Sequence, residues 1–365
     1  MNIASFGCTK NEEDIIETFV RVNSRFINRF VFFDDSTDST RSILQGLISE
    51  GFKITVLDQK YEGDWKQDSF VNLALQQLVE EGNAFDFYCP LDADEFITFN
   101  SRNDFADELN KIPKGHVGSY RWKTFIPISA DFNSYKSNGL QLCFRPREID
   151  ANLFEKTIIP KDVAAETRLS TGAHIAFNKS GESVATYNLS MPLAHFPVRS
   201  SMQIILKNLN WISTVLRVKL KVPGDNYHHF QTLKLLHDND FQVDLAGLQK
   251  MAFLYANDTS SQVSYGDCFP YNFPDYQLLY TDISDSKQNQ RLAKIIVDYW
   301  KDQPDLKELA HLKQVLGVET ASAEAEPPIP SAKPVSTEPI IQVAQPLPKR
   351  RFSDFWQFLR PSGGG

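Results

Sequence analysis

Cysteine is scarce in this sequence, and what there is forms no pattern. The 365 residues include four cysteines, Cys8, Cys89, Cys143 and Cys268, and no two of them form a C-x-x-C pair. A chain of this length buries a large core without covalent cross-links. We therefore expect reduced thiols in a cytosolic protein rather than a disulfide framework.

An excess of positive charge is also missing. The net charge is -8 and the pI is near 5.5. Because phosphate contacts need clustered lysine and arginine, this balance argues against nucleic acid as the main partner.

Long apolar runs and a leader segment are absent as well. No run approaches the roughly 18 apolar residues of a transmembrane helix. Met1 leads directly into Ile3, which opens a predicted strand rather than a signal peptide. These absences predict a cytoplasmic active site.

What the first hundred residues do contain is an alternation of apolar strands and amphipathic helices. The predicted strands are residues 2–8, 29–33, 53–57 and 85–91. The helices between them show apolar residues at helical spacing, as at Ile15, Ile16 and Phe19. This order predicts an α/β fold with a doubly wound, mostly parallel sheet flanked by helices and a ligand site at the carboxyl ends of its strands. Pro90 predicts a bulge or an early end in the fourth strand.

The pattern changes beyond residue 115. Short strands are predicted at 118–122, 140–145 and 174–178, and helices at 202–216, 245–255 and 290–318. The predicted organisation is a core over 1–230, a helical C-terminal extension over 231–318, a disordered Pro/Ala/Ser-rich linker over 319–348 and a basic amphipathic tail over 349–365.

The strongest chemical signal is Asp92-Ala93-Asp94, directly after the fourth strand. On an extended chain, side chains at i and i+2 point the same way, so both carboxylates can face one cation. Hard ions such as Mg²⁺ or Mn²⁺ bind carboxylates and substrate phosphates together. Taken alone, the motif is better explained as a solvated acidic turn, because acid-x-acid is common.

Polar clusters also follow the earlier strands: Lys10-Asn11-Glu12-Glu13, Asp34-Asp35-Ser36-Thr37-Asp38 and the loop leading to Lys66-Gln67. With the Asp-Ala-Asp-Glu turn at 92–95, these clusters resemble the family 2 glycosyltransferases and their close relatives. The resemblance is specific over about residues 1–100 and weaker to about 210. It implies a GT-A-like fold and transfer of a sugar from a nucleoside-diphosphate sugar.

The resemblance also implies roles for individual residues. Asn11 and Glu12 would lie beside the nucleotide, together with Lys66, and Asp34 or Asp35 would accept hydrogen bonds from the base or ribose. Asp92 would face the ribose and diphosphate, and Asp94 would hold Mn²⁺ or Mg²⁺. Glu95 is expected to support these groups rather than touch the ligand.

A later segment, His195-Phe196-Pro197-Val198-Arg199-Ser200, resembles a His-aromatic-x-x-Arg-Ser segment in a branch of these enzymes. His195 is then a candidate metal ligand and Arg199 a candidate phosphate clamp, although a buried structural histidine fits the sequence equally well. His174 is a second candidate histidine. Trp122 is a candidate stacking wall for a sugar ring, and a core position is the alternative.

A catalytic base cannot be assigned from the sequence. The inverting members of the family carry a Glu-Asp pair whose Asp deprotonates the acceptor, and this chain has no such pair. The carboxylates in the corresponding region are Asp131, Glu148, Asp150, Glu155 and Asp162.

The sequence thus predicts a metal-dependent, inverting glycosyltransferase that acts on a glycan or lipid-linked acceptor in surface polysaccharide or glycan synthesis. One alternative is a non-catalytic sugar-nucleotide-binding or scaffold module. A nucleotidyltransferase is a weaker alternative, because Gly7-Cys8-Thr9-Lys10 is not a glycine-rich triphosphate loop. Residues 349–360 form a basic amphipathic stretch that predicts peripheral contact with the inner face of a membrane or with a protein.

Overall fold

The computed structural model describes residues 1–58, 67–82, 84–129, 139–148, 150, 155–217, 227–239, 242–255, 265–266, 273 and 276–281. Several sequence-based predictions lie outside the described residues: Lys66, Asp131, the helix at 290–318, the linker at 319–348 and the tail at 349–365.

The N-terminal part of the chain folds as the sequence predicts. Its strands are β1 (Ile3–Thr9), β2 (Arg29–Asp34), β3 (Ile54–Asp58) and β4 (Phe87–Pro90). Its helices are α1 (Ile16–Asn23), α2 (Thr40–Ser49) and α3 (Gln67–Glu80). The strands lie in the order β3-β2-β1-β4, and each neighbouring pair is parallel.

The continuous apolar run of β2 places buried apolar side chains on both faces of this sheet, as expected for a strand with helices on each side. Phe30 and Phe32 pack edge-on against Phe19 of α1, with ring centroids 5.8 and 5.9 Å apart. Val31 and Phe33 belong to the buried cluster on the other face, which includes residues of α3. The alternation of side chains along β2 therefore fixes a helix to each face.

The chain stays close to β1 where β4 ends. The strand stops at Pro90, as predicted from a ring that lacks an N–H donor. The next residue, Leu91, donates its N–H to the carbonyl of Phe6 at 3.1 Å. A Cβ atom on Gly7 would lie 2.3 Å from the carbonyl oxygen of Leu91, so only glycine allows this close approach.

The middle of the chain adds shorter elements. They are β5 (Glu95–Ile97), α4 (Arg102–Leu109), β6 (Val117–Pro127), α5 (Gly139–Cys143), β7 (Phe144–Pro146), β8 (Glu155–Pro160), α6 (Lys161–Ala164), β9 (Arg168–Leu169), β10 (Ala176–Phe177), β11 (Thr186–Asn188) and β12 (Leu193–His195). The main sheet continues β4-β8-β6-β12-β5, where β8 is antiparallel to both neighbours and β12 is parallel to β6. The predicted fold class, an α/β fold with a largely parallel sheet flanked by helices, is confirmed.

Two strands predicted in this region are only partly confirmed. Residues 140–143 belong to the helix α5 and only residues 144–145 lie in β7, and within 174–178 only Ala176–Phe177 is a strand. Leu140, Cys143 and Phe144 are all buried. A short buried apolar run looks the same in a helix and in a strand, so its periodicity could not separate the two.

Helices follow in the C-terminal part: α7 (Ser201–Arg217), α8 (Tyr227–Asp238) and α9 (Leu245–Leu254). The helices predicted at 202–216 and 245–255 are confirmed, whereas α8 was not predicted. Buried apolar residues of α7, α8 and α9 pack together with Ile126 and Val198. Within the described ranges, no helix is long and apolar enough to cross a membrane.

Candidate active site

The loops after β1 and β2 are hydrogen-bonded to each other at the carboxyl edge of the sheet. Asn11 adopts a left-handed backbone conformation with φ of 61°, which asparagine tolerates better than most residues. Its N–H donates to the hydroxyl of Ser36 at 2.8 Å, and its Oδ1 accepts from the N–H of Thr37 at 2.8 Å. The sequence-predicted nucleotide residue Asn11 thus fixes one loop against the next.

The two aspartates at the end of β2 differ in their exposure to solvent. Asp34 is buried, and its carboxylate is held by Arg41 Nε at 3.0 Å and by Thr9 Oγ1 at 3.1 Å. The carboxylate of Asp35 is 33% exposed and accepts from Lys10 Nζ at 3.0 Å. Asp35 is therefore the more accessible of the two predicted ribose or base contacts.

Asp92 and Asp94 lie in a turn rather than on an extended chain. The N–H of Glu95 donates to the carbonyl of Asp92 at 3.1 Å, and the N–H of Asp92 donates to the Glu95 carboxylate at 2.9 Å. The expectation of an extended Asp-Ala-Asp segment is wrong for this reason. The two carboxylates consequently have separate partners.

Asp92, whose side chain is 36% exposed, forms an ion-pair group with the buried Lys156 and Glu95. The ammonium of Lys156, which is 1% exposed, donates to Asp92 Oδ2 and lies 3.2 Å from Glu95 Oε1. The indole Nε1 of Trp122 donates to the same Glu95 oxygen at 2.8 Å. Burial raises the pKa of Glu95 to about 8, against the opposite effect of Lys156.

Asp94 forms the centre of the second group. Its Oδ2 lies 3.2 Å from Lys207 Nζ and 3.6 Å from Arg199 Nη1, and its Oδ1 lies 3.9 Å from His195 Nε2. Burial opposes ionisation, but Lys207, His195 and Arg199 together hold the pKa of the Asp94 carboxyl well below its usual range. Asp94 is therefore a buried anion at neutral pH.

The imidazole of His195 is buried and uncharged at neutral pH. Burial lowers the pKa of His195 to about 4, although Asp94 acts in the opposite direction. Its Nδ1 has no hydrogen-bond partner within the described residues. A neutral imidazole next to a carboxylate is an acceptable pair of ligands for Mn²⁺.

Arg199 is fully buried and is held by protein groups. Its Nε and Nη2 form a bidentate pair with the carboxylate of Asp14 at 2.7 and 2.9 Å. Nη2 also reaches Glu12 Oε2 at 2.7 Å, and Nη1 donates to the carbonyl of Phe196 at 3.1 Å. Burial raises the pKa of Glu12 to about 7, against the effects of Arg199 and Lys207. Arg199 thus positions Glu12; its direct contact with phosphate stays a prediction.

Trp122 and His174 form a wall of aromatic rings beside the Asp92 and Asp94 groups. The indole ring of Trp122 contacts the ring of His174 edge-on, with centroids 5.4 Å apart. His174 Nδ1 bonds the carbonyl of Glu155 at 2.8 Å, and burial lowers the pKa of His174 to about 4. His174 is therefore part of the wall that supports Trp122.

The candidate bases are scattered. Glu148 is exposed, Asp150 accepts from the N–H of Thr124 at 3.1 Å, and Glu155 accepts from the hydroxyl of Ser119. Asp162 follows Pro160, which pairs with Phe87 at the start of β4, so it lies at the opposite edge of the sheet from Asp92. None of these four carboxylates is hydrogen-bonded to Asp94 or His195 in the described part of the chain. The base stays unassigned.

Sequence reasoning missed two of the three cations of the site. Lys156 and Lys207 each pair with one of the motif aspartates, and Tyr255 lies under Lys207 with its ring centroid 5.7 Å from Nζ. The available signal was weak: Lys207 follows the apolar run Ile204-Ile205-Leu206, and Lys156 stands between two polar residues.

Asp94 and His195 are two side chains that could contribute to a divalent-cation site. Across the described ranges, no group of three or more His, Cys, Asp and Glu side chains could hold an ion. Divalent ions of this kind commonly take one or two protein ligands together with substrate phosphates. A carboxylate and a neutral imidazole therefore fit Mn²⁺ or Mg²⁺ bound jointly with an anionic substrate, whereas Asp92 is paired with Lys156.

No protein-family model matches this chain, and no curated protein does. Some solved structures are similar in fold. A mannosyltransferase from Pyrobaculum calidifontis in complex with GDP-Man and Mn²⁺ is 11% identical, with 87% of this chain and 80% of that chain covered and a TM-score of 0.35. Glucosyl-3-phosphoglycerate synthase from Mycobacterium tuberculosis, in complex with Mn²⁺, UDP and glucosyl-3-phosphoglycerate, is 14% identical. The match covers 62% of this chain and 82% of that chain, with a TM-score of 0.29. Similarity at this level does not transfer an activity, so the site is judged by its own geometry.

Proposed function

We propose that this chain is a metal-dependent glycosyltransferase that moves a sugar from a nucleoside-diphosphate sugar to an acceptor hydroxyl. The observation that carries the proposal is the meeting of Asp94, His195 and Lys207 at the carboxyl edge of the parallel strands. A buried carboxylate, a neutral imidazole and an ammonium together suit a ligand that is both a metal complex and an anion.

Asp94 and His195 would hold the Mn²⁺ or Mg²⁺ in this proposal, and Asp92 would face the ribose and diphosphate. The ion, when bound, would neutralise the charge of the departing nucleoside diphosphate. Asn11, Glu12 and Asp35 would line the nucleoside side, because their loops are fixed to one another by the Asn11 and Lys10 hydrogen bonds.

Trp122 would supply the sugar-facing wall. One face of its indole is covered by the ring of His195, with centroids 4.3 Å apart. A sugar would therefore have to contact the opposite face or the ring edge. The catalytic base and the inverting stereochemistry belong to this proposal only through the family resemblance, and no residue is assigned as the base.

A non-catalytic sugar-nucleotide-binding module is the second candidate, and one observation favours it. Each motif aspartate already has a lysine partner, Lys156 on Asp92 and Lys207 on Asp94. A module of this kind would bind nucleotide without turnover, which separates it from the enzyme.

The proposal is tested with the full chain and a panel of UDP-, GDP- and dTDP-sugars in the presence of Mn²⁺. A donor that binds the native state should raise the melting temperature, with a stabilisation that grows as the logarithm of its concentration over its Kd. Release of nucleoside diphosphate, abolished by EDTA and restored by Mn²⁺, would establish turnover. A melting temperature that no nucleotide changes would overturn the proposal, and binding without release would select the non-catalytic module.

A lipid-linked acceptor is the finer part of the proposal. The basic amphipathic stretch at 349–360 would hold the enzyme at an anionic membrane surface in surface polysaccharide synthesis. Salt-sensitive binding of the full chain to anionic vesicles, lost when residues 349–365 are removed, is the expected result. Equal vesicle binding by the truncated and full-length proteins would contradict a membrane role for the tail.

A further inference from the structure

Lys207 is the most accessible of the buried cations around the two motif aspartates. It projects from α7 and lies 3.2 Å from Asp94 Oδ2, with its side chain 24% exposed. The side chains of Lys156 and Arg199 are 1% and 0% exposed. A ligand that enters at this edge of the sheet therefore meets the ammonium of Lys207 before either of the other charges.

The hydrogen-bonding capacity of the three cations points the same way. The guanidinium of Arg199 is occupied by Asp14, Glu12 and the carbonyl of Phe196, and Lys156 lies between two carboxylates. An ammonium has three N–H donors. The structure places one donor of Lys207 on Asp94 and the ammonium over the ring of Tyr255, so Lys207 has capacity to bind an added anion.

The charges of the site are already matched in pairs. Arg199 is paired with Asp14, Lys156 with Asp92 and Lys207 with Asp94. A nucleoside diphosphate brings further negative charge into a buried region, where an uncompensated anion is costly. A divalent ion on Asp94 would supply compensating charge, but it would compete with Lys207 for the same carboxylate oxygen.

We propose that Lys207 exchanges partners: it occupies Asp94 in the free protein and transfers to the diphosphate of the donor when a divalent ion binds Asp94. This inference rests on the proposed function, because it requires a nucleoside-diphosphate ligand. The contact with the ring of Tyr255 leaves the partly exposed ammonium of Lys207 on the accessible side of Asp94. Lys207 is then a second cation for the diphosphate, beside the metal.

The test is the Lys207→Met variant, whose side chain preserves the aliphatic contact with Tyr255. Isothermal titration of the full chain with Mn²⁺ alone should show tighter binding than in the wild type, because Asp94 has lost its competing cation. Titration with UDP and GDP at saturating Mn²⁺ should show binding weaker by roughly tenfold to a hundredfold, the usual effect of a lost charged hydrogen bond. Opposite changes in the two affinities identify an exchange and cannot arise from a packing defect.

The matched control is Lys250→Met on α9, an exposed lysine that should leave both affinities unchanged. Unchanged nucleotide affinity in Lys207→Met, or a parallel loss of Mn²⁺ and nucleotide affinity, would overturn the inference. If Lys207→Met does not fold, Asp94→Asn gives a second test: nucleotide binding in EDTA should tighten because Lys207 is released, and an affinity no tighter than that of the wild type would overturn the exchange. Failure of the wild-type chain to bind UDP or GDP with Mn²⁺ would instead overturn the proposed function.

Discussion

The imidazole of His195 stacks on the indole of Trp122, with ring centroids 4.3 Å apart and 27° between the ring planes. The ring of Tyr255 closes on His195 edge-on at 5.4 Å. Trp122 also donates its Nε1 to Glu95, which contacts Lys156. The indole therefore connects the Asp94 group to the Asp92 group through one rigid side chain.

This connection predicts different effects for two substitutions of Trp122. Trp122→Phe keeps a ring against His195 but leaves Glu95 without its indole donor, so the free energy of unfolding should fall by about 1–3 kcal/mol. Mn²⁺ affinity should change little. Trp122→Ala removes the stacking that orients His195, and Mn²⁺ affinity should fall by about tenfold or more. Urea unfolding and Mn²⁺ titration measure both quantities, and equal Mn²⁺ affinities of the two variants would refute the orienting role.

Asp94→Asn should abolish most donor turnover while the fold survives. The substitution removes the charged ligand of the ion, and even outer partners of metal ligands cost about 10–100-fold, so a loss of at least about a hundredfold is expected. Arg199 keeps its pairs with Asp14 and Glu12, so the surrounding structure remains supported. Turnover is measured after EDTA treatment and re-metallation, with the exposed Asp107→Asn as the control. Near-wild-type turnover in Asp94→Asn would contradict a metal-binding role.

His174 should make the protein sensitive to mild acid. Burial lowers the pKa of His174 from 6.5 to about 4, so the unfolded chain binds a proton at this residue over a range where the folded protein does not. Stability contributed by the neutral imidazole is complete above pH 6.5 and is lost as the pH falls towards 4, by up to about 3 kcal/mol.

The measurement is the free energy of unfolding in urea at pH 7 and at pH 4.5. His174→Gln carries no titratable group at this position and should show a smaller difference between the two pH values. His116→Gln serves as the control, because the His116 ring bonds the nearby carbonyl of Lys114, at 3.2 Å, in an exposed contact. A pH difference in His174→Gln as large as in the wild type would disprove the assignment.

Glu17 should stabilise the segment around residue 280. Its buried carboxylate accepts from the backbone N–H groups of Leu279, Tyr280 and Thr281 at 2.7, 3.0 and 2.8 Å. Glu17→Gln removes the charge that these donors share, and the free energy of unfolding should fall by roughly 1–3 kcal/mol.

Glu166→Gln is the control for Glu17→Gln. Glu166 pairs with Lys179 at 3.1 Å, but its side chain is 69% exposed, and exposed ion pairs contribute about 0–1 kcal/mol. Limited proteolysis near residues 276–281 should accelerate in Glu17→Gln and not in Glu166→Gln. Equal effects of the two substitutions would show that the buried carboxylate does not hold this segment.

Local patterns in the sequence determined the first four strands, the helices between them and the edge at which the polar loops meet. The apolar run of Phe30 to Phe33 identified a strand buried on both faces, and Pro90 marked the end of β4. Such features depend on a few adjacent residues, so they can be read from periodicity and from the missing N–H of proline. The candidate motifs of the site, such as Asp92-Ala93-Asp94, could also be identified from the sequence, because each spans only a few adjacent residues.

Only the tertiary structure decided which charges those residues meet. Asp92 pairs with Lys156, 64 positions later, and Asp94 with Lys207, 113 positions later. The Asp-Ala-Asp segment forms a turn rather than the expected extended chain. Arg199 donates hydrogen bonds to Asp14 and Glu12. No local pattern specifies such partners, because a buried charge is stabilised by whatever the packing of distant strands and helices brings within hydrogen-bond distance.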